Sequence, residues 1–446
     1  PATGDQNNTQ PLNKERNTKK TPNKHKKGTK KELKEYSKAT KKTSTTSQIK
    51  IKQIVQKAIN HLSEKDMSFD LKKLTEESAR FGMGEVSFRD ITRQIEHFKR
   101  NGQLVKARSH KDKPNTALFT TPKAKAVESL LIKNVNQAKD TVTPLLKNIK
   151  SLQKQLNKSI LNEQQKEAIT AALSSKDRFF AIQGDPGVGK TTALKEYKNN
   201  LAKNGIEVLA LAPTYQAVGE LSESLNIQGM TVDRFLVDPT ARVTDKKEIA
   251  KDKVWICDES SMLSTEKINK LISRAEEENA RILFVGDHQQ LEAVDAGRGY
   301  KQMLEAGINV AIVDKRLRQK TELMKNVVSD IMKKDYATAL TTLADNNRII
   351  EIKKEDSAIE SMVDNWIGRD KKLREQTLMI APTNEQKDKI TSLVRDRLKS
   401  TGEIKKEDVS LKNYVDIYKT ETEKKEVFSY NNGDVVRFNK EYKESE

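Results

Sequence analysis

One eight-residue stretch, Gly184-Asp185-Pro186-Gly187-Val188-Gly189-Lys190-Thr191, restricts the fold of this chain more than any other. It has the form Gly-x4-Gly-Lys-Thr. The apolar run Phe179–Ile182 precedes it, and a helical pattern over 192–203 follows. Strand, glycine-rich turn and helix in that order form a phosphate-binding loop. Glycines let backbone N–H groups close around phosphate oxygens, and the helix N-terminus adds partial positive charge. Lys190 is placed to neutralise the β- and γ-phosphates and the Thr191 hydroxyl to hold Mg²⁺. Thr192 joins Gly184–Thr191 in the nucleotide-binding set. The expected cofactors are therefore ATP and Mg²⁺.

Further strands are expected at Val208–Ala212, Val254–Cys257 and Ile282–Val285. Each is too short for a buried helix and is bounded by Gly, Pro or Asp, as buried parallel strands are. Val254–Cys257 runs into Asp258-Glu259. Asp258 is the expected partner of the Mg²⁺ shell, and Glu259 the group that polarises an attacking water. Ile282–Val285 runs into Gly286-Asp287-His288-Gln289-Gln290, where a glutamine can sense a γ-phosphate. Lys315-Arg316-Leu317-Arg318-Gln319 offers an arginine for the transition state; alone, it also reads as a solvated basic turn.

Around this α/β core the texture differs. Residues 1–50 carry 14 Lys/Arg against 4 Asp/Glu, about half of the chain's net charge of +19. Residues 1–48 are expected to form a disordered basic tail. It either contacts nucleic acid or merely keeps the chain solvated. Residues 49–158 are expected to form a helical domain. Three helices (Ile49–Leu62, Leu71–Phe81, Phe88–Phe98) precede a hairpin made of Gly102–Val105 and Ala117–Thr120. That order is winged-helix-like, with a generic helical domain as the alternative. A helical stretch follows over 121–158. The expected first ATPase lobe is 159–314 and a partial second lobe 315–446. The second lobe contains the apolar run Gln376–Ile380. It also contains a small antiparallel β unit, with Tyr414–Tyr418 and Val435–Phe438 on either side of the turn Asn432-Gly433. One cysteine, Cys257, excludes a disulfide framework and a cysteine-based metal site. No apolar run approaches 18 residues, so membrane insertion is not expected.

These elements, in this order, resemble superfamily 1 helicases of the RecD-like branch. The fold implied is a RecA-like P-loop NTPase lobe plus an incomplete second RecA-like lobe with an SH3-like β insertion. Leu161-x3-Gln165 is similar to that branch's adenine-contacting motif. Ala212-Pro213-Thr214, followed by Ala217–Leu221, is similar to its single-strand-contacting motif, and Thr231-Val232-x2-Phe235-Leu236 matches a further segment. Pro213 and Thr214 are thus implied DNA contacts. Tyr215 beside them is either a base-stacking residue or a solvated loop tyrosine. Ala212–Glu220, Asp258–Met262, Arg318–Leu323 and Arg374–Leu378 together resemble the TraI-type conjugative relaxase/helicase, as does the Ala58–Leu62 and Phe81–Gly84 stretch. On that resemblance Gln290 is the motif III sensing glutamine and Arg318 the motif IV arginine.

The resemblance implies an ATP-dependent 5′–3′ DNA helicase, or a fragment of one. It would act on single-stranded DNA in the bacterial cytoplasm, with other relaxosome proteins as possible partners. No histidine set stands beside a nucleophilic tyrosine, so nicking is not expected. Helicase motifs V and VI are expected beyond Glu446. Two alternatives stand beside this reading. One is a truncated motor that only binds nucleotide and single-stranded DNA; the other is a RecD-like repair helicase subunit.

Overall fold

The computed structural model describes residues 30–107, 116–185, 187–241, 247, 251–290, 293, 295–314, 321–405, 407–409, 411 and 414–437, with the side chains of 30–46 excepted. Pro186, Lys315–Lys320 and Phe438 lie outside that set, and with them Arg316 and Arg318.

The N-terminal domain is built from α1 (Lys30–Lys65), β1 (Phe69–Asp70), α2 (Leu71–Phe81), α3 (Phe88–Arg100), β2 (Val105–Lys106) and β3 (Leu118–Thr120). Asp70 and Ser87 cap α2 and α3, their side chains accepting from the N–H of Lys73 and Asp90. Both caps satisfy donors that a helix start leaves free. β3 pairs antiparallel with both β1 and β2, giving the order β1-β3-β2. The helical stripe Ile54, Val55, Ala58, Ile59 and Leu62 closes on Leu74, Ile91, Ile95 and Phe98. One expectation, the disordered tail over 1–48, is corrected in part; residues 1–29 lie outside the described residues. α1 begins at Lys30, inside the segment expected to be disordered. Lys-Glu-Leu-Lys-Glu-Tyr-Ser-Lys-Ala is rich in helix formers and continues a helix that the packed 51–62 stripe already nucleates.

The central lobe is a three-layer α/β/α sandwich. Its elements are α4 (Pro122–Gln137), α5 (Ile149–Leu156), α6 (Glu163–Ser174), β4 (Phe179–Gly184), α7 (Lys190–Lys203), β5 (Glu207–Ala212), α8 (Tyr215–Leu225), β6 (Gly229–Thr231), α9 (Val232–Val237), β7 (Lys253–Cys257), α10 (Thr265–Glu277), β8 (Ala280–Gly286), α11 (Gly299–Glu305) and β9 (Asn309–Val313). The sheet order is β6-β5-β7-β8-β4-β9, and every pair is parallel. Strand alternation sorts the core. Phe180, Ile182, Val254, Ile256, Leu283 and Val285 face α5, α6, α7 and α8. Phe179, Ala181, Trp255, Cys257, Ile282 and Phe284 face α4, α9, α10 and α11. Sheets covered on both faces explain why these strands read as continuous apolar runs.

The expected boundary at 158 is therefore displaced. Leu131, Val135 and Ala138 pack under one face of the sheet, and Leu152 and Leu156 under the other. The lobe begins near residue 121. The expected helical stretch is two helices, and each belongs to the sheet it covers.

Beyond β9 the described residues form helices and coil. α12 (Glu322–Met332) and α13 (Tyr336–Asp345) form a hairpin. α14 (Glu355–Ile367) and α16 (Asn384–Ser400) pack around a small core of Ile359, Val363 and Ile390, and α15 (Lys371–Glu375) lies between them in the chain. Three expectations are corrected here. Gln376–Ile380 is not a strand, and Leu378 and Ile380 are 82% and 78% exposed. Tyr414–Tyr418 and Val435–Arg437 are coil, although the turn is present, with Gly433 at φ +98°. Among the described residues, 321–437 thus contain no β insertion and no second sheet. A strand needs a neighbour to take its N–H and C=O groups, and none of these runs meets one.

The 418–430 segment docks on the N-terminal domain instead. The Glu64 carboxylate accepts from the N–H of Glu421 and Thr422 (2.6 and 3.2 Å) and from the Thr422 hydroxyl (2.6 Å). Phe428 meets Phe81 edge-on, and Lys57 pairs with Glu426 at 2.5 Å. Buried His61 bonds Thr420 at 3.0 Å, and burial lowers its pKa.

Candidate nucleotide-binding site

Gly184 ends β4, and the loop turns through Gly187 and Gly189, both at φ +78°. L-residues rarely adopt that geometry, so the glycines are a backbone requirement. A Cβ on Gly184 would lie 3.1 Å from the Val313 carbonyl and from the side chains of Val188 and Lys190. Val188 is buried in the core and anchors the loop, while Asp185 is half-buried. Lys190 opens α7, and its Nζ donates to the Gly184 carbonyl at 2.6 Å. Thr191 and Thr192 in the first turn are exposed. The loop therefore has what a polyphosphate needs: a free helix N-terminus, a lysine held over the loop and a hydroxyl at its mouth.

Gln165 braces this loop from below. It is 2% exposed and completes a capping box with Asn162 at the start of α6. Its Nε2 donates to the carbonyls of Val188 (2.8 Å) and Gly189 (3.2 Å). The residue expected to contact adenine is thus engaged here in holding the phosphate loop.

β7 delivers Asp258 and Glu259 to the same end of the sheet. The Asp258 N–H donates to Leu211 of β5, and its Oδ1 accepts from the Glu259 N–H at 2.8 Å. Burial pushes the Asp258 carboxyl up to about 6; Glu259 and Glu220 add to the rise, while Lys190 and the Glu259 N–H oppose it. A neighbouring divalent cation would offset that burial cost, so the donor set suits Mg²⁺. Glu259 has φ +49° and ψ +37°. A left-handed non-glycine residue costs on the order of 1 kcal/mol. That conformation turns the chain directly into the Ser260–Met262 3-10 turn. Among the described residues no cluster of three or more His, Cys, Asp or Glu could hold a metal by itself.

β8 lies between β4 and β7 and ends in Gly286-Asp287. A Cβ on Gly286 would lie 3.1 Å from the Ser261 N, so the strand end sits directly against the turn after Glu259. Asp287 is fully buried and accepts from Gln183 (2.9 Å), the Gln289 N–H (3.0 Å) and Gln290 Nε2 (2.8 Å). Gln290 itself is exposed. Three of the four sequence motifs thus converge at the carboxyl ends of three adjacent strands, where ligands of open α/β sheets bind. Arg318 is outside the described residues. Gln183 was missed by the sequence reading. Its signal was a lone polar residue ending the apolar run Phe-Phe-Ala-Ile.

The implied DNA contacts stand at the end of β5. Pro213 is half-buried; Thr214 caps α8 by accepting from the Ala217 N–H at 3.2 Å; Tyr215 is 78% exposed. A separate cleft of about 550 Å³ opens between the N-terminal domain and the lobe, lined by Lys65, Asp66, Arg298 and Lys301 among others. No helix of the described residues is long and apolar enough to cross a membrane.

Comparison with known proteins agrees with this architecture. A family model described as an AAA domain matches residues 160–354. The chain is 24% identical over 401 residues to the multifunctional conjugation protein TraI of Escherichia coli, covering 80% of this chain and 22% of that protein. It is 25% identical over 243 residues to the conjugal transfer protein TraA of Agrobacterium fabrum, covering 54% and 22%. It is 36% identical over 121 residues to the ATP-dependent RecD2 DNA helicase of Deinococcus radiodurans, covering 27% and 17%. The chain is thus similar to TraI-type conjugation proteins and, over a shorter stretch, to a RecD-like helicase. It spans about a fifth of the length of the conjugation proteins it matches.

Proposed function

We propose that this chain is the ATP-hydrolysing part of a superfamily 1 DNA helicase that acts 5′–3′ on single-stranded DNA in conjugative transfer, in the bacterial cytoplasm. The observation that carries the reading is the convergence of Lys190, Thr191, Asp258, Glu259 and the Asp287–Gln290 pair on one sheet edge. ATP with Mg²⁺, when bound, supplies the phosphoryl group that passes to water. Lys190 would exchange the Gly184 carbonyl for a phosphate oxygen. Thr191 and Asp258 would hold the cation, and Glu259 would orient and deprotonate the water. Gln290 would report the γ-phosphate to the rest of the chain, and Arg318 would supply transition-state charge from the residues after β9.

Pro213, Thr214 and Tyr215 form the proposed DNA contact, with Tyr215 stacking on a base. The net charge of +19 supports phosphate contacts. The helix order and β1-β3-β2 sheet of the N-terminal domain support a winged-helix-like module. Similarity to TraI and TraA supports conjugation, with relaxosome proteins as partners.

The test is ATP hydrolysis by the purified chain with and without single-stranded DNA. Stimulated turnover that disappears in Lys190→Ala is expected; equal turnover in that variant refutes the reading. A second reading, a module that binds nucleotide and DNA without turnover, draws on the absence of strands among the described residues of 321–437. Robust turnover dismisses it.

A further inference from the structure

Gln183 occupies a position that strand alternation reserves for an apolar side chain. It follows Phe179 and Ala181 on the face of β4 that packs beneath α10 and α11. It is buried, and both ends of its amide are used. Nε2 donates to Asp287 Oδ1 at 2.9 Å, and Oε1 accepts from the His288 N–H at 3.3 Å. Gln183 pairs with Gly286 in the β4–β8 register, so these bonds cross from the phosphate-loop strand to the strand bearing Asp287. Asp287 then uses its other oxygen, Oδ2, to hold Gln290 Nε2 at 2.8 Å. From the other direction, the Tyr300 hydroxyl donates to the Ile182 carbonyl at 2.9 Å, fixing the end of β4. A fully buried carboxylate is tolerated only while its donors are in place. Losing one of them disturbs the others.

We propose that Gln183 is a positioning residue that ties the phosphate loop to Gln290 through the buried Asp287 carboxylate. It sets where the sensing glutamine stands relative to the γ-phosphate. This rests on the nucleotide-hydrolysis reading above. Gln183 does not itself touch nucleotide; it acts because Gly184 follows it directly in the chain and Asp287 faces it across the sheet.

The deciding variant is Gln183→Met, which keeps length and burial but removes both polar ends. Three measurements read it: amide hydrogen exchange at 288–290, the affinity ratio for a non-hydrolysable ATP analogue over ADP, and single-strand-stimulated kcat. Exchange at 288–290 should accelerate while β4 and β8 amides stay protected. ADP affinity should hold. The ATP-over-ADP preference should fall as far as in Gln290→Ala, and kcat should drop about tenfold or more, as misplacement of a sensing group does. The double variant should be no worse than Gln290→Ala alone, because both changes break one relay. Unchanged exchange at 288–290, or additive losses in the double variant, overturns the proposal. If the unaltered chain binds neither nucleotide, the hydrolysis reading fails, while hydrogen exchange still decides the Gln183 link. Should Gln183→Met not fold, the swap Gln183→Glu with Asp287→Asn places an acceptor and a donor across the same gap. Protection at 288–290 nearer to the unaltered chain than in either single variant supports the link, and its absence overturns it.

Discussion

At the residue scale, the site is a set of groups whose costs are tolerable only with a ligand or a partner in place. Asp258 shows this most directly. Its carboxyl lies at about 6 in the folded chain, against an ordinary value of 3.8, chiefly through burial. The folded state therefore holds the proton more tightly than the unfolded state. The stabilisation from that proton is complete below about 3.8 and is lost as pH rises through about 6. Without metal, Asp258→Asn should thus gain thermal stability over the unaltered chain as pH rises through 6, and the gain should vanish in more acid solution. Thermal melts at a series of pH values measure it. With Mg²⁺ the sign inverts, because the cation needs the ionised carboxylate. Mg²⁺-dependent nucleotide affinity should therefore weaken as pH falls through about 6 in the unaltered chain and be weak at every pH in Asp258→Asn. Titration calorimetry separates these outcomes.

At the element scale, α10 carries an unusual load. Arg274 is nearly inaccessible; it pairs with Glu278 at 2.7 Å, lies 3.6 Å from the Phe235 ring centre, and donates to the Phe235 and Ala241 carbonyls. One guanidinium thus ties α10 to α9 and the turn after it. Arg274→Ala leaves the buried Glu278 without its partner, and breaking such pairs costs about 3–5 kcal/mol. Urea denaturation should show that loss. Glu278→Gln, which keeps an acceptor and removes the charge, should cost less; equal losses would show that a neutral acceptor does not substitute for the carboxylate. This load was not legible in the sequence, where Arg274 reads as one more charge on an amphipathic helix. The strands were legible because their burial on both faces forces continuous apolar runs. Gln376–Ile380 has the same texture but stays coil, since texture does not create a neighbouring strand.

At the scale of the whole molecule, the boundaries depend on contacts distant in sequence. α4 and α5 cover opposite faces of the parallel sheet, so a fragment starting at 121 should fold cooperatively. One starting at 159 exposes the surfaces beneath Leu131, Val135, Leu152 and Leu156. Each large apolar side chain removed from such a core forfeits about 1.5–3 kcal/mol, so the shorter fragment should aggregate. Circular dichroism and size-exclusion chromatography distinguish the two. Glu64 joins three parts: its carboxylate holds Glu421 and Thr422, and its carbonyl accepts from the Ala296 N–H at 3.0 Å. Glu64→Ala should free the 418–430 segment and speed proteolytic cleavage there, with fragments of the central lobe unchanged. An unaltered digestion pattern would show the docking to be weak.

The sequence alone determined the phosphate loop, the positions of the central strands along the chain and the acid pair that follows β7. These are local: a turn that only glycine permits, and runs that only a doubly covered sheet requires. Tertiary structure decided the rest. It decided where the lobe begins, that Gln165 braces the loop, that 414–418 and 435–437 are coil while the 418–430 part docks on the N-terminal domain, and that Gln183 meets Asp287. The phosphate loop is therefore more than a local turn: a buried network spanning two strands ties it to Gln290. Each of those outcomes is a pairing between residues far apart in the chain. A buried polar group or an unpaired strand is satisfied only by what the fold brings next to it.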